Sequence, residues 1–259
     1  MVLRFYKIHN QTMDIKNQII INADDFGKSA SINEAISLCF KKNLIGRTTI
    51  MVNMPNFTEA ISIAKNNSFF DKVGLHINLM EGKPVTKEIM KFPQVCTDGF
   101  YNGKLQEYIR SHYFLPSSLK KAIRKEIKAQ MRIYIDNGFT LLHIDSHFHL
   151  HNDYIIYSII KPLAKQHKFK SMRILRNLMP KDNIKDLIKY CYKRIINYDI
   201  KQNFQHTTFF GSYDDFITYY KESSNIKSSV EIMVHPDIND NTLVDVVDKK
   251  FINFSTYNL

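Results

Sequence analysis

The stretch from His143 to His151 carries four histidines (His143, His147, His149 and His151) and Asp145 on alternate positions. Imidazole is the commonest metal-ligating side chain, and a ligating histidine usually needs a carboxylate or carbonyl on its other ring nitrogen. Four of the chain's ten histidines fall within these nine residues, so an even scatter does not describe them. Asp24 and Asp25 form an adjacent carboxylate pair after an apolar run, and His76 closes another such run. Two neighbouring carboxylates invite two roles, one binding a metal and one acting as a base. Capping the following helix is the competing role, because carboxylates suit helix N-termini. At most two of the clustered histidines are expected to touch a metal, with the others lining a pocket or supporting the ligands. Taken together, these residues predict a metal-dependent hydrolase.

Such groups need a scaffold that brings distant segments together. Eight short, mostly β-branched apolar runs recur, at 18–22, 48–53, 73–78, 141–145, 171–175, 207–210, 230–234 and 251–255. Helical patterns separate most of them. Ile32, Ala35, Ile36, Cys39 and Phe40 make one amphipathic face, with Ser31 and Glu34 reading as a capping box. Leu119, Ile123, Ile127, Met131 and Ile135 make another, stopped by Asn137-Gly138. Further helices are expected at 57–65, 153–166, 184–196 and 214–222. Alternating strands and helices imply a parallel sheet covered by helices, and eight strands imply a distorted (β/α) TIM-like barrel. In such a barrel the carboxyl ends of the strands form the active-site rim. Asp24, Asp25, Asn53, His76, Asn78, Asp145, Arg173 and His235 all lie in or just after these runs.

The chain reads as a single domain over residues 1–259. Residues 1–12 precede the first strand as a loosely anchored arm, and Met13 reads as an alternative start. Residues 84–115 interrupt the rhythm with turn signals at Pro84, Pro93, Asp98-Gly99 and Asn102-Gly103, an insertion of the kind that often forms a lid. The formal net charge is +11, but the basic residues are spread along the chain and are read as solvated surface; no nucleic acid partner is expected. No apolar run approaches the roughly 18–20 residues that span a bilayer, and the first twenty residues lack the apolar core of a signal peptide. A cytoplasmic location is the default. Three cysteines without CxxC spacing do not make a disulfide framework.

Five segments carry a resemblance. They are Ile20–Gly27, Met51–Pro55, Gly74–Gly82, His143–His151 and Met233–Pro236. In this order the chain resembles the YdjC-type carbohydrate deacetylases, which include chitooligosaccharide deacetylase. The resemblance implies a barrel related to polysaccharide deacetylases and one divalent metal, magnesium or zinc, with manganese or cobalt also admissible. By that resemblance Asp25, His76 and His147 would be ligands, with His149 or His151 as a substitute. Asp24 would be the base and His235 the acid. Arg173 would keep Asp24 ionised and Asp145 would orient a ligand histidine, while Asn53, Asn78, His149 and His151 would face the substrate or support the ligands. The implied partner is a small carbohydrate, and a homodimer is compatible with it. Asn152-Asp153, and the absence of a proline after Arg173, depart from the family pattern. A metal-dependent phosphoesterase or amidohydrolase and a non-catalytic sugar- or nucleic-acid-binding protein are the competing functions.

Overall fold

A computed structural model describes residues 19–112, 114–220 and 228–247. The strands are β1 (Ile19–Phe26), β2 (Arg47–Ile50), β3 (Val73–Ile77), β4 (Cys96–Thr97), β5 (Phe100–Tyr101), β6 (His143–Ser146), β7 (Ser171–Met172), β8 (Phe209–Ser212), β9 (Val230–Val234), β10 (Pro236–Asn239) and β11 (Thr242–Asp245). The principal helices are α1 (Ala30–Lys41), α2 (Phe57–Asn66), α3 (Leu105–Ser111), α4 (Ser117–Asp136), α5 (Tyr154–Gln166) and α6 (Ile184–Asn203).

Seven strands form one parallel sheet in the order β7-β6-β3-β2-β1-β9-β8. β2, β3, β6 and β9 are buried throughout, as expected where helices cover a parallel sheet. The sheet curls until its edges approach each other. Gln205, just before β8, bridges Ser171 at the start of β7, and both Asn177 N–H and Leu178 N–H donate to Phe210 O. The expected eighth strand, 251–255, and the arm at 1–12 lie outside the described residues.

The helices form where the apolar periodicity places them. On α4, Leu119, Ile123, Ile127 and Met131 are buried, and the chain turns at Asn137 into Gly138, which has a positive φ. Two local expectations need correction. The N-cap of α1 is Ser29, whose hydroxyl accepts from Ile32 N–H, rather than Ser31. The helix expected from 214 is a single turn, Tyr213–Asp215, continuing into a wider turn at Phe216–Tyr220, and its end lies outside the described residues.

The insertion packs tightly. Ile89, Val95, Cys96, Tyr101, Leu105 and Ile109 join the main core. Its entry is fixed by Glu126 on α4, whose carboxylate accepts from Val85 N–H at 2.9 Å and Thr86 N–H at 2.7 Å. Cys39, Cys96 and Cys191 are all free. Among the described residues no helix is long and apolar enough to cross a membrane.

Candidate metal centre and its carboxylate network

Successive residues of a regular strand point to opposite faces. Asp24 and Asp25 escape that rule because the pairing of β1 with β2 shifts register between Ala23 and Phe26, and Asp25 adopts φ +69°. Both carboxylates are thereby buried in one polar interior at the carboxyl end of β1. His76, near the end of β3, sits in register with Asp145 on β6.

Asp25 Oδ1 lies 3.3 Å from His76 Nε2 and 2.9 Å from His147 Nδ1. These three groups converge closely enough to hold a metal ion. The other nitrogen of His76, Nδ1, is 2.6 Å from Asp145 Oδ1, which fixes the ring and directs Nε2 at Asp25. Thr49 donates its hydroxyl to Asp145 Oδ2. Behind this cluster, Arg173 is buried against three carboxylates. It grips Asp24 with two N–H groups at 2.7 Å each, reaches Asp145 Oδ2 at 2.8 Å, and donates from Nε to Glu231 Oε1 at 2.5 Å. Glu231 also pairs with Arg47 at 2.6 Å. His235 Nε2 stands 3.9 Å from Asp24 Oδ2.

These contacts set the protonation states. Burial pushes the Asp24 carboxyl up, but the Arg173 guanidinium outweighs it and holds the group well below the usual carboxylate range. Asp25 is likewise driven well down, burial being overcome by the His147 and His76 nitrogens that close on it. Burial works against a charged His76, yet Asp145 carries it up to about 10. Burial and the nearby Arg173 push His151 down to about 3 and His149 well below the usual histidine range, so both rings are neutral.

The remaining candidates divide. His149 and His151 stand apart from the Asp25–His76–His147 group. β6 ends at Ser146, and Phe148 and His149 both adopt φ +51° within the turn His147–Asn152. His151 Nδ1 bonds Ser146 Oγ at 2.6 Å, while the His149 ring packs edge-on to Phe210. Asn53 and Asn78 hold the turn that follows β3: Asn78 Oδ1 accepts from Met80 and Glu81 N–H, and Asn53 Nδ2 donates to Glu81 O. That turn presents Glu81, which lies within the Gly74–Gly82 segment and has no expected role in the sequence pattern. Glu81 Oε1 is 3.4 Å from His147 Nε2, and Oε2 pairs with Lys28 at 2.8 Å. His147, then burial in the opposite sense and Lys28, set its carboxyl down at about 2. Arg47 and Glu231 were also missed, though lone charges in apolar parallel strands are a readable signal.

A curled parallel sheet with a buried Asp/His group at its strand ends makes this an α/β protein whose clustered side chains could hold a metal ion. The chain belongs to the YdjC-like protein family, whose model matches residues 18–257. It is 33% identical over 151 residues to a carbohydrate deacetylase of Brevibacillus brevis, covering 58% of this chain and 57% of that protein. A carbohydrate deacetylase of Clostridium beijerinckii is 28% identical over 241 residues, 93% of this chain and 86% of the relative. The fold is similar to that of a crystal structure of an Enterococcus faecalis protein assigned to cellobiose-phosphate cleavage. That likeness has a TM-score of 0.65 at 20% identity and covers 87% of this chain and 83% of the other.

Proposed function

We propose that this protein is a metal-dependent carbohydrate deacetylase that hydrolyses the N-acetyl amide of an amino sugar or short chitooligosaccharide, releasing acetate. The observation that carries this reading is the Asp25–His76–His147 group set beside an Asp24 carboxylate kept ionised by Arg173. Membership of a family with carbohydrate deacetylases among its relatives supports it.

The residues fit a divalent ion. Asp25 Oδ1 is buried without a well-aligned hydrogen bond, as is His147 Nε2. Ligand atoms around an ion with bonds of about 2.0–2.2 Å stand roughly 3 Å or more apart, the separation seen here. The buried network also holds four carboxylates, Asp24, Asp25, Asp145 and Glu231, against the two guanidiniums of Arg47 and Arg173. With His76 neutral, as ligation requires, two negative charges are left unmatched by these arginines, which suits a dication. Zinc and magnesium both suit a mixed nitrogen and oxygen set, as do manganese and cobalt.

A bound ion would supply Lewis-acid polarisation of the acetyl carbonyl and a lowered pKa for water. The chain's own groups do the rest. Asp24, ionised by Arg173, takes the proton from the attacking water. His235, close to Asp24, hands a proton to the departing amine. Asp145 holds the His76 ring in the tautomer and direction that ligation requires. The seven-stranded sheet curls partway around these groups, and closure into the (β/α) barrel expected from the strand pattern is part of this reading.

The assembly is a homodimer in this reading, supported by the outer face of α6. Ile184, Ile188, Ile195 and Tyr198 recur at helical spacing and are 62–70% exposed. Sedimentation of the wild type and of Ile188→Glu with Ile195→Glu tests it: a monomer in both rejects the dimer.

Acetate release from N-acetylglucosamine and its β-1,4-linked dimer and trimer tests the activity, using metal-stripped protein resupplied with zinc, cobalt, manganese or magnesium singly. The expected result is metal-dependent release, abolished in Asp24→Asn while the metal still binds. Release from phosphate esters but from no N-acetyl sugar overturns the reading.

A further inference from the structure

A cavity of about 610 Å3 lies between the insertion and the turn after β6, its walls including Glu81, Gln106, Glu107, Arg110 and Phe148. Glu81 also stands at His147, so the cavity opens at the edge of the candidate metal centre. The far wall is α3, which divides its two sides sharply. Leu105 and Ile109 enter the core, whereas Gln106, Glu107 and Arg110 recur at three- and four-residue spacing along the cavity.

Phe148 is unusual on two counts. A bulky residue at φ +51° is held in a costly backbone conformation, and Phe148 is 54% exposed, its ring set edge-on to His147 with centroids 4.4 Å apart instead of joining the adjacent core. α3 holds it there: Gln106 Nε2 donates to Phe148 O at 3.1 Å and lies 3.4 Å from Asp153 Oδ2, while Arg110 Nε pairs with Asp153 Oδ1 at 3.4 Å. The same strained turn carries His147 to Asp25. One backbone device therefore sets the ligand histidine and displays an aromatic face about one residue's length away.

An exposed ring beside amide, carboxylate and guanidinium groups suits a pyranose, whose C–H face is apolar and whose rim is hydroxyls. The charge of the lining argues against an anion: Glu81 and Glu107 face a single Arg110, and Asp153 already engages that arginine. The volume lies within the range of small-molecule sites, about 300–1,000 Å3.

We propose that this cavity is a sugar-binding subsite, built by the insertion, for the unit adjoining the one whose acetamide is hydrolysed, with Phe148 as its stacking platform. The proposal rests on the deacetylase reading and makes the enzyme favour a disaccharide or longer chain over a monosaccharide. Its discriminating feature is that the ring acts on chain length alone.

The test measures KM and kcat for N-acetylglucosamine and its β-1,4-linked dimer and trimer in the metal-loaded wild type, Phe148→Ala and Phe148→Tyr, with melting curves for each. The expected result is that Phe148→Ala raises KM for dimer and trimer about tenfold, the factor lost with roughly 1.4 kcal/mol of ring contact. Constants for the monosaccharide and kcat stay unchanged, and Phe148→Tyr restores the wild-type KM. Equal losses on monosaccharide and trimer would show that the ring only supports His147 and would overturn the subsite. Unchanged KM on every substrate overturns it too. Wild-type protein that releases no acetate from any of the three fails earlier, at the deacetylase reading, and takes the subsite with it.

Discussion

Replacing Arg173 with methionine removes the centre of the buried network while keeping much of the side-chain volume. Asp24 loses both of its guanidinium bonds, and Asp145 and Glu231 lose one each. Breaking a buried pair by deleting one partner costs about 3–5 kcal/mol, because the other charge is left in a medium that solvates it poorly. Three carboxylates are affected here, but Arg47 still pairs with Glu231 and His76 with Asp145. The loss is therefore expected near the upper end of that range, about 5 kcal/mol, rather than at three times it. Asp24 has the least compensation and should respond by taking up a proton, since Arg173 is the main influence holding its carboxyl down. Urea unfolding followed by circular dichroism reads the stability term, and acetate release across pH reads the second. The midpoint should fall with an unchanged slope, and the acid limb of activity should move to higher pH. Arg173→Lys keeps the charge but not the two-pronged grip, so it should retain part of the stability while losing most activity. A loss below about 1 kcal/mol in Arg173→Met would refute the assignment of this arginine as the charge holding the interior together.

Asp145→Asn should weaken metal affinity about 10- to 100-fold in a chelator competition titration, because the amide cannot satisfy His76, Thr49 and Arg173 at once. An unchanged affinity would remove Asp145 from the ligand support. The Glu231 carboxyl, pulled down to about 2 against its burial by Arg47 and then Arg173, is depressed on folding. Its stabilisation, up to about 3 kcal/mol, is present above the unfolded value near 4.5 and is lost as pH falls towards 2. Acid titration of stability should therefore show a steeper limb in the wild type than in Glu231→Gln; parallel limbs would contradict it. Gly82→Ala should destabilise and lower activity together, since φ is +74° and an added Cβ would sit 2.6 Å from Met54 Sδ, displacing the turn that carries Glu81. Wild-type activity in this variant, measured by acetate release, would show that Glu81 has no part in the site.

The strand and helix rhythm was legible because buried parallel strands and amphipathic helices have different apolar periods. Asp24, Asp25, His76, His147 and Asp145 were legible for a related reason: they interrupt or end apolar runs, and the fold gathers such ends. The alternation from His143 to His151 was a less faithful guide. It imitates a strand with one histidine face, but β6 stops at Ser146 and two left-handed residues turn the chain, separating His149 and His151 from His147. Positive φ at Phe148, a phenylalanine, follows from tertiary anchoring by Gln106, which no local pattern announces. The same holds for Glu231 and Arg47. Each looks like an isolated charge until the register of β9, β1 and β2 sets them beside Arg173 and Asn22.

The excess of buried negative charge has a consequence for metal binding. Without an ion, the neighbouring carboxylates must be balanced from within, and His76 is placed to do it, with Nδ1 at Asp145 and Nε2 facing Asp25. Its pKa, pushed up to about 10 by Asp145 against the effect of burial, keeps it protonated at neutral pH. Ligation needs a neutral imidazole, so an ion must displace the Nε2 proton when it enters. About one proton should therefore be released from His76 per metal bound, and apparent affinity should rise by up to tenfold per pH unit between about 6.5 and 8. Calorimetric titration in buffers of different ionisation enthalpy measures the release directly. A binding enthalpy independent of the buffer, with an affinity flat across that interval, would show that His76 enters ligation already neutral. In that case the interior charge would have to be balanced elsewhere.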